Sequence, residues 1–117
     1  MRKHKYNARK TAVDGITFDS ALEAKRYSEL KLLEKAGEIN CLMLQPKYPL
    51  VVNDRLIATY IADFEYYEMA GVTEDDEETL LKRVVEDVKG YRTQVYRLKK
   101  KLFEACYPLI EFREIKK

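Results

Sequence analysis

Three side chains in this sequence have types and spacing that could do chemistry together: Asp63, Asp87 and Lys89. Asp63 interrupts the apolar and aromatic run YIADFEY at 60–66, and Asp87 and Lys89 lie two apart in VVEDVKG at 84–90. Alternate side chains of a strand share a face, so Asp87 and Lys89 point one way and Glu86 and Val88 the other. By the same parity Ile61, Asp63 and Glu65 share a face opposite Ala62, Phe64 and Tyr66. If the two segments pair as a hairpin, the two carboxylates lie side by side and repel unless something positive stands between them. A hard divalent cation does this. Mg²⁺ is typically held by one or two carboxylates plus waters and phosphate oxygens, and Mn²⁺ can substitute. The Val88 carbonyl is a further candidate ligand. Such an ion acidifies bound water and offsets charge developing on a phosphoryl group. Lys89 would then orient the attacking water or the phosphate as a point charge. These parts suffice for hydrolysis of a phosphodiester.

Each residue also has a plainer reading. Asp63 could sit on an exposed edge strand. Asp87 and Lys89 could form a cross-strand salt bridge, which contributes little when exposed. Glu86, adjacent to Asp87, could be taken for the acid of the pair, but the spacing to Lys89 favours Asp87. Glu86 is expected to meet a cation on the other face.

The elements that must position these residues are legible as periodicity and punctuation. Asp14-Gly15 reads as a turn. Ser20 and Glu23 fit a capping box opening a helix over 20–36, stopped by Gly37. Strands are expected at 45–52, with Pro46 and Pro49 pushing it to an edge or bulge, at 56–68 and at 81–89. The acidic run 74–78 reads as a solvated hairpin loop. Thr93 can cap a second helix, with Val95, Leu98, Leu102 and Ala105 or Cys106 on its apolar face and Pro108 as its stop. A last strand covers 109–115. The order α, β, β, β, α, β makes an α/β chain of the α+β mixed-sheet kind, with a parallel pair across the final crossover. Residues 1–117 read as a single domain and 1–13 as an exposed basic arm.

Composition narrows the rest. The chain has 117 residues, two cysteines that form no CxxC pair (Cys41 and Cys106) and one histidine, His4, so structural zinc is not expected. No apolar run approaches the roughly 18 residues of a membrane span. The basic N-terminus lacks the apolar stretch of a secretory signal. These features favour a cytoplasmic protein with free thiols and no membrane partner. The formal net charge is only +2, but residues 1–10 and 92–101 are basic and contain no acid. A local basic surface is therefore expected. Arg92, Lys99 and Lys100 could contact phosphates in a sequence-independent way or simply form a wet helix face. Thr93 and Gln94 at a helix N-terminus could touch a phosphate. Lys10 belongs to an arm that could wrap nucleic acid. Tyr60, Tyr66, Tyr67, Tyr91 and Tyr96 read as core or interface residues rather than base-stacking platforms. Gln45 reads as an ordinary strand residue.

YIADFEY followed by VVEDVKG resembles the PD-(D/E)XK, or restriction-endonuclease-like, nuclease superfamily, with Ala62 where the motif often has proline. The resemblance implies a restriction-endonuclease-like αβββαβ core and Mg²⁺ bound by Asp63 and Asp87, with Lys89 catalytic. It also implies that Glu23 on the first helix completes the site, a role that competes with helix capping. KYNARKT near the N-terminus, GITFDSALEAKRYSEL, LQP at 44–46, EDVKGY and YRLKKKLFE make the chain similar to a family of small phage-encoded proteins of unknown function. Some transposon-end and junction-cutting nucleases share a similar S-x-x-E helix and Q-P pair. The implied activity is that of a metal-dependent endodeoxyribonuclease, with junction or branched DNA as one substrate class, in the cytoplasm of a bacterial host if phage-encoded. The alternative is a non-catalytic nucleic-acid-binding or adaptor protein on a nuclease-like fold. Symmetric cleavage of two strands would need a homodimer, and a partner from phage or host replication and recombination is equally compatible. The apolar faces are expected to be used up by a monomer core.

Overall fold

A computed structural model describes residues 10–72 and 79–116. Most of the basic arm, with His4, and the acidic run 74–78 lie outside the described residues. The first element is a hairpin, β1 (Thr11–Val13) against β2 (Ile16–Phe18). Its turn is the expected Asp14-Gly15, both left-handed at φ 53° and 75°. The expected arm therefore ends before residue 11. Val13, Ile16 and Phe18 have apolar surface to bury, and they pack against the core beneath the first helix.

Helix α1 (Ala21–Lys35) starts where expected, with the Ser20 hydroxyl accepting the Glu23 N–H at 3.1 Å. It buries Ala24, Tyr27 and Leu30. The next strand, β3 (Ile39–Leu44), was not expected from the sequence. Its alternation is broken by a bulge between Asn40 and Met43, where Cys41 takes φ 56°. β4 (Lys47–Val52) and β5 (Arg55–Ile61) form a separate two-stranded ribbon around Asn53-Asp54, whose φ values of 49° and 66° suit a tight hairpin turn. The expected strand 56–68 is thus two strands. It breaks at Ala62-Asp63, and β6 (Phe64–Val72) belongs to a different sheet.

β6 pairs antiparallel with β7 (Thr79–Val88), as the expected hairpin. Helix α2 (Gln94–Cys106) then returns the chain to β8 (Glu111–Ile115), parallel to β7. The main sheet is mixed and runs β3-β6-β7-β8. With the N-terminal hairpin and the ribbon set aside, the order is helix, three strands, helix, strand. The α/β mixed-sheet class is as expected, but residues 39–44 supply the strand assigned to 45–52.

Neighbouring residues of β7 feed two cores on opposite faces of the sheet. Val84 joins Phe18, Tyr27, Leu30, Phe64 and Tyr66 under α1. Val85 joins Tyr48, Leu50, Tyr60, Tyr96 and Phe103 between the ribbon and α2. The Phe103 ring centroid lies 4.9 Å from Tyr48 and 5.5 Å from Tyr60. This aromatic cluster turns α2 away from its expected orientation, leaving Val95 63% and Leu98 60% exposed. Leu56, Ile57 and Ile61 of the ribbon are exposed too, so the apolar faces are not used up by the monomer core. Among the described residues no helix is long and apolar enough to cross a membrane.

Candidate metal centre

Asp63 owes its position to the break between the two sheets. Its carbonyl accepts the Gln45 N–H at 2.9 Å, and its own N–H donates to the Glu86 carbonyl at 3.2 Å. Ala62 beside it donates to the Pro46 carbonyl at 3.1 Å. Gln45, at φ 49°, is thus a corner residue rather than an ordinary strand position. The Asp63 side chain reaches across to the end of β7, where its Oδ2 accepts the Val88 N–H at 2.7 Å. Strand parity between Ile61 and Glu65 fails at this corner, so Asp63 is presented by the break and not by an alternating face.

Asp87 meets Asp63 there. Asp63 titrates far above its ordinary range, pushed up to about 8. Burial is the main cause, followed by the neighbouring Asp87, while the Val88 N–H pulls the other way. Asp87 itself is 1% exposed. Its Oδ2 accepts the Tyr60 phenol, and its Oδ1 lies 3.4 Å from the Lys89 ammonium. Asp63 is half-buried rather than on an exposed edge, and the plainer reading of Asp87 and Lys89 as an ion pair holds, with Asp87 buried rather than exposed.

Lys89 is held from two sides. Its N–H donates to the Ile115 carbonyl at 3.0 Å, and its ammonium lies 4.4 Å from the centroid of the Tyr96 ring. Tyr96 in turn donates its hydroxyl to Glu114 at 2.7 Å. Burial first, and then the neighbouring carboxylates, raise both the Tyr60 and Tyr96 phenols, which therefore remain protonated donors.

Glu23 is buried at the start of α1 and senses this centre. Burial raises its carboxyl, with the charges of Asp19 and Asp87 adding to the effect and the Asp19 backbone amide and Lys89 opposing it. The Ser20 hydroxyl caps the Glu23 N–H at 3.1 Å. Glu86, by contrast, faces α1. Arg26 grips both its oxygens, from Nε at 2.7 Å and Nη2 at 2.6 Å, and the Tyr66 hydroxyl also donates to it. Glu86 has the expected cation partner on the opposite face, and the acid beside Asp63 is Asp87.

Among the described residues no three His, Cys, Asp or Glu are grouped to hold a metal ion. Glu23 therefore borders the acid pair rather than closing a three-carboxylate set. The pair itself suits a hard cation. Two neighbouring carboxylates, Asp87 buried and Asp63 half-buried, favour a proton or a positive ion beside them, and oxygen donors with waters are what Mg²⁺ and Mn²⁺ take. Val88 contributes its N–H to orient Asp63.

The candidate phosphate contacts lie around α2 with existing partners. Thr93 is the N-cap, its hydroxyl accepting the Tyr96 N–H at 3.0 Å, and Gln94 opens the helix exposed. Arg92 lies 3.3 Å from Glu114. Lys99 donates to the Thr59 carbonyl at 3.3 Å, and the Lys100 ammonium lies 5.2 Å from the Phe112 ring centroid. Lys99 thus reaches the ribbon and Lys100 reaches β8. Lys10 is exposed ahead of β1. The roles of Tyr60 and Tyr96 beside Asp87 and Lys89 were not read from the sequence. The available signal was that a buried phenol needs an acceptor.

Comparison with curated proteins and with solved structures finds no match. A family model described as a protein of unknown function (DUF1064) matches residues 3–117, and the chain belongs to that family.

Proposed function

We propose that this chain is a metal-dependent endodeoxyribonuclease of the PD-(D/E)XK type, using Mg²⁺ or Mn²⁺ to hydrolyse phosphodiester bonds of DNA in a bacterial cytoplasm. The observation that carries the reading is the half-buried Asp63 carboxylate held by the Val88 N–H at 2.7 Å at the strand end that carries the buried Asp87, with Lys89 3.4 Å from Asp87. Asp63 and Asp87 would hold the ion. When bound, it would acidify water and stabilise charge on the phosphoryl group. Val88 fixes Asp63 through its N–H, and the Tyr96 ring keeps the Lys89 ammonium beside the pair. Lys89 would neutralise and orient the phosphate as a point charge. Glu23 would tune the charge of the pair from α1. Arg92, Thr93 and Gln94 lie on the segment just beyond Lys89, where they can take flanking phosphates, and Lys99 and Lys100 extend along α2.

Junction or branched DNA is the favoured substrate class, because a chain this small has little surface for reading bases. Exposed Leu56, Ile57, Val95 and Leu98 leave apolar area for a second copy or for a replication and recombination partner. A cleavage panel of duplex, flap, junction and single-stranded DNA, each with and without Mn²⁺, tests the reading. Metal-dependent cutting of at least one substrate is expected. The Asp87–Lys89 ion pair and, among the described residues, the lack of a third grouped carboxylate favour a second reading, a nucleic-acid-binding or adaptor protein. DNA binding that needs no metal and leads to no cleavage would select it.

A further inference from the structure

Two sheets meet at the acid pair, and one residue of the ribbon touches it directly. Tyr60 lies in β5, outside the main sheet, yet its phenol donates to Oδ2 of Asp87 at the end of β7. The ring is fixed from several sides. Its centroid lies 5.5 Å from that of Phe103 and 6.2 Å from that of Phe112, and it is almost fully buried. The hydroxyl therefore cannot swing away without disturbing an aromatic cluster. On the other carboxyl, the Val88 N–H occupies Oδ2 of Asp63 at 2.7 Å. Each acid thus has one oxygen committed to a fixed protein donor.

We infer that Tyr60 is a positioning residue that makes Asp87 a one-oxygen ligand and thereby selects a small six-coordinate cation over calcium. The inference rests on the metal-centre reading above and adds a selectivity to it. Calcium takes six to eight oxygens and gains from carboxylates that can bind through two, whereas Mg²⁺ keeps six-coordinate geometry with single oxygens and waters completing the shell. A carboxylate oxygen that already accepts a rigid phenol has one lone pair left, so Asp87 chelates through both oxygens less readily than it binds through Oδ1 alone. Removing the hydroxyl frees Oδ2 and lets Asp87 chelate. Outer-shell donors of this kind change metal affinity by about 10- to 100-fold when removed.

The test uses the full chain without DNA. Mn²⁺ binding is followed by electron paramagnetic resonance, and Ca²⁺ is titrated in as competitor. The parent should bind Mn²⁺ in preference to Ca²⁺, and Tyr60→Phe should reduce that preference about tenfold. Tyr48→Phe is the control. Tyr48 sits in the same aromatic cluster, but its hydroxyl donates to Glu65, so its loss should leave the preference unchanged. Tyr60→Met provides a second hydroxyl-free variant if Tyr60→Phe does not fold. A general loosening of the cluster would weaken both cations alike, so an unchanged ratio in the Tyr60 variants overturns the inference, as does an equal shift in Tyr48→Phe. A parent that binds neither cation overturns the metal-centre reading as well, which separates the two failures.

Discussion

The Asp63 carboxylate accepts a 2.7 Å hydrogen bond from the backbone N–H of Val88, the residue between Asp87 and Lys89. One bond therefore ties the corner between the two sheets to the strand end that carries the other two polar groups. It also explains how two acids are kept beside each other although their charges repel. The amide offsets part of the penalty, and the remainder is left for a proton or a cation to remove.

Asp63→Asn should uncouple stability from activity. The amide removes a repelling charge, so the metal-free protein should be as stable as the parent or more stable, by about 1 kcal/mol at alkaline pH. It should also lose any stabilisation by Mn²⁺. Thermal melts of both proteins with and without Mn²⁺ measure this. A large loss of metal-free stability would show that Asp63 is held for structure.

The pH dependence follows from the same residue. The folded-state value of Asp63 lies above its ordinary 3.8, at about 8, so between these values the folded chain holds a proton that the unfolded chain has released. The penalty is absent below that window and fully present above it. Metal-free stability should fall as pH rises through the window, by at most about 1.4 kcal/mol per pH unit from this group. A bound cation replaces the proton, so the increase in melting temperature with Mg²⁺ or Mn²⁺ should grow with pH. Melts across this range check the sign, and a metal effect that shrinks as pH rises contradicts it.

Lys89→Ala should keep metal binding and lose chemistry. The ammonium meets the pair through Asp87 at 3.4 Å and otherwise rests on the Tyr96 ring. Its removal should leave Mn²⁺ affinity unchanged or higher and slow cleavage about 100- to 1,000-fold. Parallel Mn²⁺ titration and single-turnover cleavage separate the two effects.

Arg26→Ala should act on the fold alone. Glu86 has no exposed surface and depends on the two-point contact with Arg26. Leaving its charge unpaired should destabilise the protein by about 3 kcal/mol, measurable by urea unfolding. Val95→Lys on the exposed face of α2 should change stability by less than about 0.5 kcal/mol.

Local signals recovered much of this molecule, and long-range ones the rest. Ser20 and Gly37 bound α1 as expected because caps and stops are written in a few adjacent residues. Asp87 and Lys89 lie together, their charges 3.4 Å apart, although β7 ends at Val88 and Lys89 stands just beyond it. β3 was missed because a bulge at Cys41 breaks its period. The split at Ala62-Asp63 was missed because the residues on both sides are equally strand-prone, and only pairing with Pro46 and Glu86 separates them. The face of α2 was misread because Tyr96 and Phe103 outcompete Val95 and Leu98 for burial against Tyr48 and Tyr60, a choice made by the tertiary cluster. For the site, Asp87 beside Asp63 was legible as an expected hairpin neighbour. The Tyr60 and Tyr96 supports were not, because each joins segments far apart in the chain.

The most direct measurement of the central claim compares the parent with Asp87→Asn on branched and duplex DNA in the presence of Mn²⁺. Circular dichroism should first establish that both proteins are equally folded. The parent should produce strand cuts that vanish on chelation, and Asp87→Asn should cut at least about 100-fold more slowly. Equal cleavage by the two proteins, or cleavage by the parent that persists in excess chelator, would contradict a metal centre at Asp63 and Asp87.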